Sequence, residues 1–307
     1  MVDLTTKLGS LVLKNPVMTA SGTFGYGKEY HKYYDIAQLG AVVVKGIAPF
    51  VSQGNPTPRV VETASGMLNA IGLQGPGVDH FLHDPDYLPF LRSVNATTIV
   101  NIWGRSIADY REVAARLEAE KEGIAALEIN ISCPNVKAGG IAFGTDPKLA
   151  AEVIQAVRAE TALPLITKLS PNVSNIGEFA KTAEGAGSDM ISLINTLTGM
   201  VIDIEKRRPV LANRTGGLSG PAVKPVAVRM VYEAARAVKI PIIGMGGITN
   251  GRDAIEFLMA GASAIAVGTA IFCDMYAPLK VIDEIRTFLE QHGCNSVEEI
   301  IGAAQLP

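Results

Sequence analysis

A chain of 307 residues with 48% hydrophobic and 19% charged residues can bury a substantial core, which excludes a disordered chain and leaves one large α/β barrel or two ordinary domains. Its formal charge of -3 gives no electrostatic reason to expect nucleic acid as a partner. Cys133, Cys273 and Cys294 are odd in number and far apart, which fits a reducing cytoplasm rather than a disulfide framework and cannot supply a four-cysteine iron-sulfur cluster.

The opening stretch MVDLTTKLGSLVLKNPV lacks a cationic start followed by a long apolar run, and no run of about 18 apolar residues occurs anywhere, so neither secretion nor a membrane span is expected. Short apolar runs rich in branched residues predict strands at PVMTAS (16–21), AVVVKG (41–46), TIVNIWG (98–104), ALEINIS (126–132), PLITKLS (164–170), MISLINT (190–196), PIIGMGG (241–247) and AIAVGT (264–269). Between them, IADYREVAARLEAEKEG, DPKLAAEVIQAVRAET, NIGEFAKTAEGAG, KPVAVRMVYEAARAV and GRDAIEFLMAGA predict helices. Their apolar residues recur at spacings of three and four, as in Ala150, Val153, Ile154 and Val157. Strand and helix alternating in this way predict an α/β fold, a parallel (β/α)8 TIM barrel forming one domain over residues 1–307, with an open doubly wound sheet as the alternative. Two excursions break the rhythm, at about 47–70, rich in Pro, Gly, Asn and Ser, and at about 197–221; in a barrel both fall at the catalytic end.

Barrel enzymes place their chemistry at the carboxyl ends of the strands. Here those ends offer Ser21, Lys45 with Gly46, Asn101, Asn130, Lys168, Asn195 with Thr196, Gly246 with Gly247, and Gly268 with Thr269. Strand ends turn polar in any protein as they reach solvent, but Lys45 and Lys168 each follow apolar strand residues, and an ammonium desolvated without a partner is costly. An anionic ligand in the barrel mouth supplies that partner. GMGGITN (244–250) and VGTAIF (267–272) combine glycines with a following helix start, so backbone NH groups can converge on a phosphate, as in the phosphate sites that recur after the last two strands of this barrel. The glycine spacing is not a Rossmann fingerprint and comes late in the chain, so the pattern fits a phosphate-bearing cofactor such as FMN, and no metal site is expected.

Several longer motifs carry a resemblance. SGTFGYG (21–27), KGI (45–47), NAIGLQGPG (69–77), NISCPN (130–135), TKLSPN (167–172), INTLTG (194–199), GGLSGPAVKP (216–225), GMGGI (244–248) and VGTA (267–270) together resemble the motif set of the class 1 dihydroorotate dehydrogenases over nearly the whole chain. The continuation NVKAGGIAFG resembles class 1B, which passes electrons to NAD through a second subunit; class 1A reduces fumarate and also uses cysteine. Class 2 is membrane-associated and quinone-linked, with serine in place of the cysteine and an amino-terminal extension not seen here.

The resemblance implies oxidation of dihydroorotate to orotate in de novo pyrimidine (UMP) biosynthesis. That reaction removes a proton from carbon five and a hydride from carbon six, and so needs a base on one face of the ring and a flavin on the other. Cys133 is implied as the base, since a thiol of pKa roughly 8.5 serves once its surroundings favour the thiolate; taken without the motif set it reads first as a small buried hydrophobe. Lys45 is implied as a catalytic residue that contacts flavin and substrate, stabilising charge as it arrives. The flavin positions implied are Ser21, Lys45, Gly46, Asn101, Asn130, Lys168, Ile194, Gly220, Gly246, Gly247, Gly268 and Thr269, and the substrate positions are Lys45, Asn69, Ala70, Ile71, Gly72, Leu73, Asn130, Asn195 and Thr196. FMN is implied in this chain, with FAD and an iron-sulfur cluster in an electron-transfer partner and a homodimer of this chain inside a cytoplasmic heterotetramer. The alternatives are a class 1A fumarate-reducing enzyme, another FMN barrel acting on pyrimidines, and a non-enzymatic phosphate-binding barrel.

Overall fold

The computed structural model describes residues 2–132 and 140–305. Eight parallel strands form its centre: β1 (Val17–Thr19), β2 (Val42–Ile47), β3 (Thr98–Ile102), β4 (Ile124–Asn130), β5 (Leu165–Lys168), β6 (Met190–Leu193), β7 (Ile242–Met245) and β8 (Ala264–Val267). From β2 to β8 each pairs with its neighbour in chain order, and β8 returns to pair with β1 through Ile265–Val17, Ala266–Met18 and Val267–Thr19. The seam between β1 and β2 is closed by a parallel bridge between Met18 and Ala41 and by the Thr19 hydroxyl, which accepts from the Val43 amide at 3.1 Å. The open doubly wound alternative is thereby excluded.

All eight sequence-predicted strands are present, and so are the helices between them: α1 (Ile107–Ala119), α2 (Pro147–Arg158), α3 (Ile176–Gly185), α4 (Lys224–Ala237), α5 (Gly251–Ala260), followed by α6 (Ala277–Gln291). In α2, Asp146 caps the first turn by accepting from the amides of Lys148 and Leu149, a contribution of about 1 kcal/mol. Its buried face is Ala150, Val153, Ile154 and Val157, each larger side chain worth about 1.5–3 kcal/mol on burial. Asn175 and Asn250 cap α3 and α5 in the same manner, so these helices start where a short polar side chain replaces the missing turn.

Strand alternation sorts the barrel interior into layers. The lower layer takes one apolar residue from each strand: Met18, Val43, Ile99, Ala126, Ile166, Met190, Ile243 and Ala264. An amino-terminal hairpin (Thr6–Leu8 with Leu11–Leu13) packs Leu8 and Leu13 against that layer and plugs the bottom of the barrel. Two residues further along the strands the interior turns polar, with Asn101, Glu128, Lys168 and Ser192 all buried.

The two excursions are not separate decorations. Val60–Thr63 and Gly66–Asn69 from the first pair antiparallel with each other, and Gly66–Asn69 also pairs with Gly216–Ser219 from the second, which in turn pairs with Leu197–Gly199. The result is one four-stranded antiparallel sheet whose residues wall the barrel mouth. The local sequence holds no signal for this pairing, because its partners lie about 150 residues apart. Among the described residues no helix is long and apolar enough to cross a membrane.

Candidate active site

A cavity of about 430 Å³ opens at the carboxyl ends of the strands, within the range that suits small-molecule ligands. It is lined by Ser21, Lys45, Gly46, Asn69, Ile71, Gly72, Leu73, Asn101, Asn130, Lys168, Ile194, Asn195, Thr196, Gly220, Gly246, Gly247, Gly268 and Thr269. Every sequence-predicted site residue is therefore at this cavity except Ala70 and Cys133. Ala70 is fully buried, and its backbone is already engaged, the amide with the Arg59 carbonyl and the carbonyl with the Asn55 carboxamide. Cys133 lies outside the described residues; its neighbour Ser132 is buried.

The floor of the cavity is a chain of hydrogen bonds running from a buried carboxylate up to the substrate side. Glu128 accepts from the Asn101 carboxamide at 2.6 Å and from the Ser192 hydroxyl at 2.7 Å. Asn130 donates to Asn101 Oδ1 at 3.4 Å, and its own Oδ1 accepts from the Ser132 hydroxyl at 3.1 Å. Asn195 donates to Ser132 Oγ at 2.9 Å and holds the Thr196 amide with its Oδ1 at 2.8 Å. Asn172 then donates to the Thr196 carbonyl at 3.1 Å. Because each carboxamide is fixed by its neighbour, the remaining amide groups are presented in set directions, which suits a cyclic ureide with alternating donors and acceptors. Tyr110, from α1, supports the chain from behind by donating to the Asn130 carbonyl at 2.8 Å.

The two lysines differ. Lys168 is 5% exposed, donates to Ser21 Oγ at 3.4 Å and stands 3.8 Å from Glu128. Lys45 is half-buried, and its ammonium has no hydrogen-bond or ion-pair partner among the described residues. Burial, and then the Arg59 guanidinium, hold its pKa below the ordinary lysine value, so an anion brought beside it relieves that penalty.

Two glycine-bearing turns close the cavity at β7 and β8. Gly246 and Gly247 have φ of 127° and 82°, a backbone that side chains rarely adopt, and a Cβ on Gly247 would fall 2.8 Å from the Gly220 carbonyl oxygen. The turn is anchored by Asp253, which accepts from the Thr249 amide at 2.9 Å, from the Thr249 hydroxyl at 2.6 Å and from Lys224 at 2.7 Å. After β8 the expected helix start is only the short turn Ala270–Cys273.

Sequence reasoning missed three contributors. Ser219 lines the cavity with a buried hydroxyl that has no partner among the described residues, an arrangement that fits a polar cofactor group. Glu128 and Asp253 do not line the cavity, yet they hold the residues that do. Of the other cysteines, Cys273 is exposed and Cys294 half-buried, both free.

A closed β/α barrel whose mouth holds two lysines, a chain of fixed carboxamides and two glycine-bearing turns around one cavity is the build of a barrel enzyme acting on a small molecule. The sequence profile of the dihydroorotate dehydrogenase family matches residues 3–289, and the chain belongs to that family. The chain is 56% identical to the "Dihydroorotate dehydrogenase B (NAD(+)), catalytic subunit" of Geotalea uraniireducens (strain Rf4) over 301 residues, 98% of each chain. It is also 56% identical over 305 residues to the protein of the same name from Desulforamulus reducens (strain ATCC BAA-1160 / DSM 100696 / MI-1), covering 99% of each. The fold matches the crystal structure of DHODH in complex with ferulenol from Eimeria tenella with a TM-score of 0.82 at 24% identity, over 99% of this chain and 89% of that one. Membership of this family implies a flavin cofactor.

Proposed function

We propose that this chain is the FMN-binding catalytic subunit of a class 1B, NAD-linked dihydroorotate dehydrogenase, oxidising dihydroorotate to orotate in pyrimidine biosynthesis. The observation that carries the reading is the convergence of Lys45, Lys168, the Asn101–Asn130–Asn195 chain and the Gly246–Gly247 turn on one cavity, in a chain 56% identical to subunits of that name. Among the lining residues, Gly246, Gly247, Gly268 and Thr269 would hold the phosphate of FMN, while Ser21, Gly46, Asn101, Lys168, Ile194 and Gly220 would hold the rest of the cofactor. Asn69, Asn130, Asn195 and Thr196 orient the pyrimidine ring and its carboxylate, with the Ala70–Leu73 segment supporting it from the side. When bound, the flavin supplies the two-electron acceptor for the hydride from carbon six.

The chain's own residues do the rest. The thiolate of Cys133 takes the proton from carbon five. The residue before it, Ser132, is tied to both Asn130 and Asn195 beside the cavity. Lys45 balances negative charge as it develops beside the ring, and its desolvated ammonium gains most from doing so. The antiparallel sheet over the barrel mouth, through Val60, Met67 and Leu218, excludes water on that side.

Electron exit to NAD requires a partner subunit, for which this reading assigns FAD and an iron-sulfur cluster, docked on a homodimer of one-domain chains in a cytoplasmic heterotetramer. No βαβ dinucleotide fingerprint occurs in the sequence, and no group of three or more metal-ligating side chains lies among the described residues. The test is the purified chain with dihydroorotate and one acceptor at a time. It should reduce an artificial dye and leave NAD untouched until the partner is added. Efficient NAD reduction by the chain alone contradicts the partner assignment, and efficient fumarate reduction moves the chain to class 1A.

A further inference from the structure

Glu128 is out of place by the rules that build the rest of the barrel. Along β4, Ala126, Glu128 and Asn130 share the inward face; Ala126 belongs to the apolar lower layer and Asn130 lines the cavity, so the carboxylate is enclosed between them at 2% exposure. Three other strands contribute its partners: Asn101 from β3 at 2.6 Å, Ser192 from β6 at 2.7 Å and Lys168 from β5 at 3.8 Å. A buried ion pair is weak evidence for stability, because well-packed apolar residues of similar volume commonly serve as well. Stability therefore does not explain why a carboxylate stands here.

Its neighbours do. Lys168 and Asn101 both line the cavity, and Glu128 is the common partner beneath them. At a rise of about 3.3 Å per residue, Glu128 lies roughly 7 Å along the strand below Asn130. Whatever occupies the cavity floor therefore faces a lysine whose charge is balanced from below. An enclosed, water-poor setting screens that carboxylate weakly.

We propose that Glu128 is a positioning residue that sets the reduction potential of the bound flavin: it fixes Lys168 and Asn101 in the cavity floor and, by balancing the Lys168 charge, keeps the flavin harder to reduce than a bare ammonium would make it. The inference rests on the functional reading above. A low potential in turn keeps electrons disposed to leave the flavin toward an acceptor, which is what a dehydrogenase with a remote electron exit requires.

The test is Glu128→Gln in the full chain loaded with FMN, equilibrated anaerobically with a reference dye of known potential, alongside FMN titration of the flavin-free protein. Glutamine keeps the side-chain length and an acceptor for Asn101 while removing the charge. At a fixed dye ratio, the reduced-to-oxidised flavin ratio should rise about tenfold or more, equivalent to a positive shift of about 30 mV for a two-electron couple, with FMN affinity held within about threefold. An unchanged potential with weakened FMN binding means that Glu128 is only structural and overturns the inference while leaving the functional reading intact. A wild-type chain that takes up no flavin overturns both. Should Glu128→Gln fail to fold, Glu128→Asp, which keeps the charge but draws it back from Lys168 and Asn101, carries the test: a reduced-to-oxidised ratio raised about threefold or more supports the inference, and an unchanged ratio refutes it.

Discussion

Asp253→Asn tests the anchoring of the Gly246–Gly247 turn, to which the proposed function assigns the cofactor phosphate. Asp253 holds both sides of that turn: Oδ2 accepts from the amide and hydroxyl of Thr249, just past Gly246–Gly247, and Oδ1 accepts from Lys224 at the start of α4. Hydrogen bonds to a charged group contribute about 1.5–3 kcal/mol each. Asparagine keeps one acceptor oxygen, and Lys224 retains Glu256 at 2.9 Å, so we expect a net loss near 2 kcal/mol rather than the sum of three bonds. Burial pushes the Asp253 carboxyl up, but the hydrogen bonds from Lys224 and Thr249 outweigh it and leave its pKa below the ordinary 3.8. A folded value below the unfolded one means that the stabilisation is fully present above pH 3.8 and is lost as pH falls through the lower folded value. The gap between wild type and variant should thus be constant from about pH 5 to 8 and close in stronger acid. Urea unfolding of the flavin-free protein across that range reads the stability, and fluorescence titration with FMN should show an affinity loss of about tenfold, equivalent to about 1.4 kcal/mol. A stability loss under about 0.5 kcal/mol together with unchanged FMN affinity refutes the anchoring role.

The proposed base role of Cys133 and the geometry of the Gly246–Gly247 turn each set a further outcome. Cys133→Ser should retain FMN but be reduced by dihydroorotate about a hundredfold or more slowly at neutral pH, with the deficit shrinking as pH rises because serine is the weaker acid; stopped-flow bleaching measures it, and near-normal reduction removes the cysteine from the base role. Gly247→Ala puts a Cβ at φ 82° and within 3 Å of Gly220 and Lys224, so FMN affinity should fall by about tenfold or more in direct titration, and full affinity would mean that the turn does not bear the phosphate.

The barrel was legible because its eight strands and the helices between them each carry their own period, and because β/α alternation leaves few topologies. The site residues at the strand ends were legible for the same reason: once Val42–Ile47 or Leu165–Lys168 is a barrel strand, Lys45 and Lys168 must lie near its carboxyl end. What escaped was whatever depends on contact across the chain. Asn69 pairs with Gly217, and Gly217 has no Cβ because Thr196 occupies that space, but neither fact is written within ten residues of either. In the strand run ALEINIS Glu128 is one polar residue among several, and its signal is parity, since it shares the inward face with Asn130. By position Asp253 is an ordinary first-turn acid of α5, where such residues favour the helix dipole, and only the fold brings Lys224 and Thr249 to it.

On the proposed function, this cavity binds a flavin that takes up the electrons of dihydroorotate. Anaerobic titration of the purified, flavin-loaded chain with dihydroorotate, followed by visible spectroscopy and chromatographic assay of the product, tests it most directly. Released cofactor should be FMN, its absorbance should bleach on addition of dihydroorotate, and orotate should appear in stoichiometric amount. A colourless protein that cannot be loaded with FMN, or a flavin that stays oxidised in excess dihydroorotate, would contradict it.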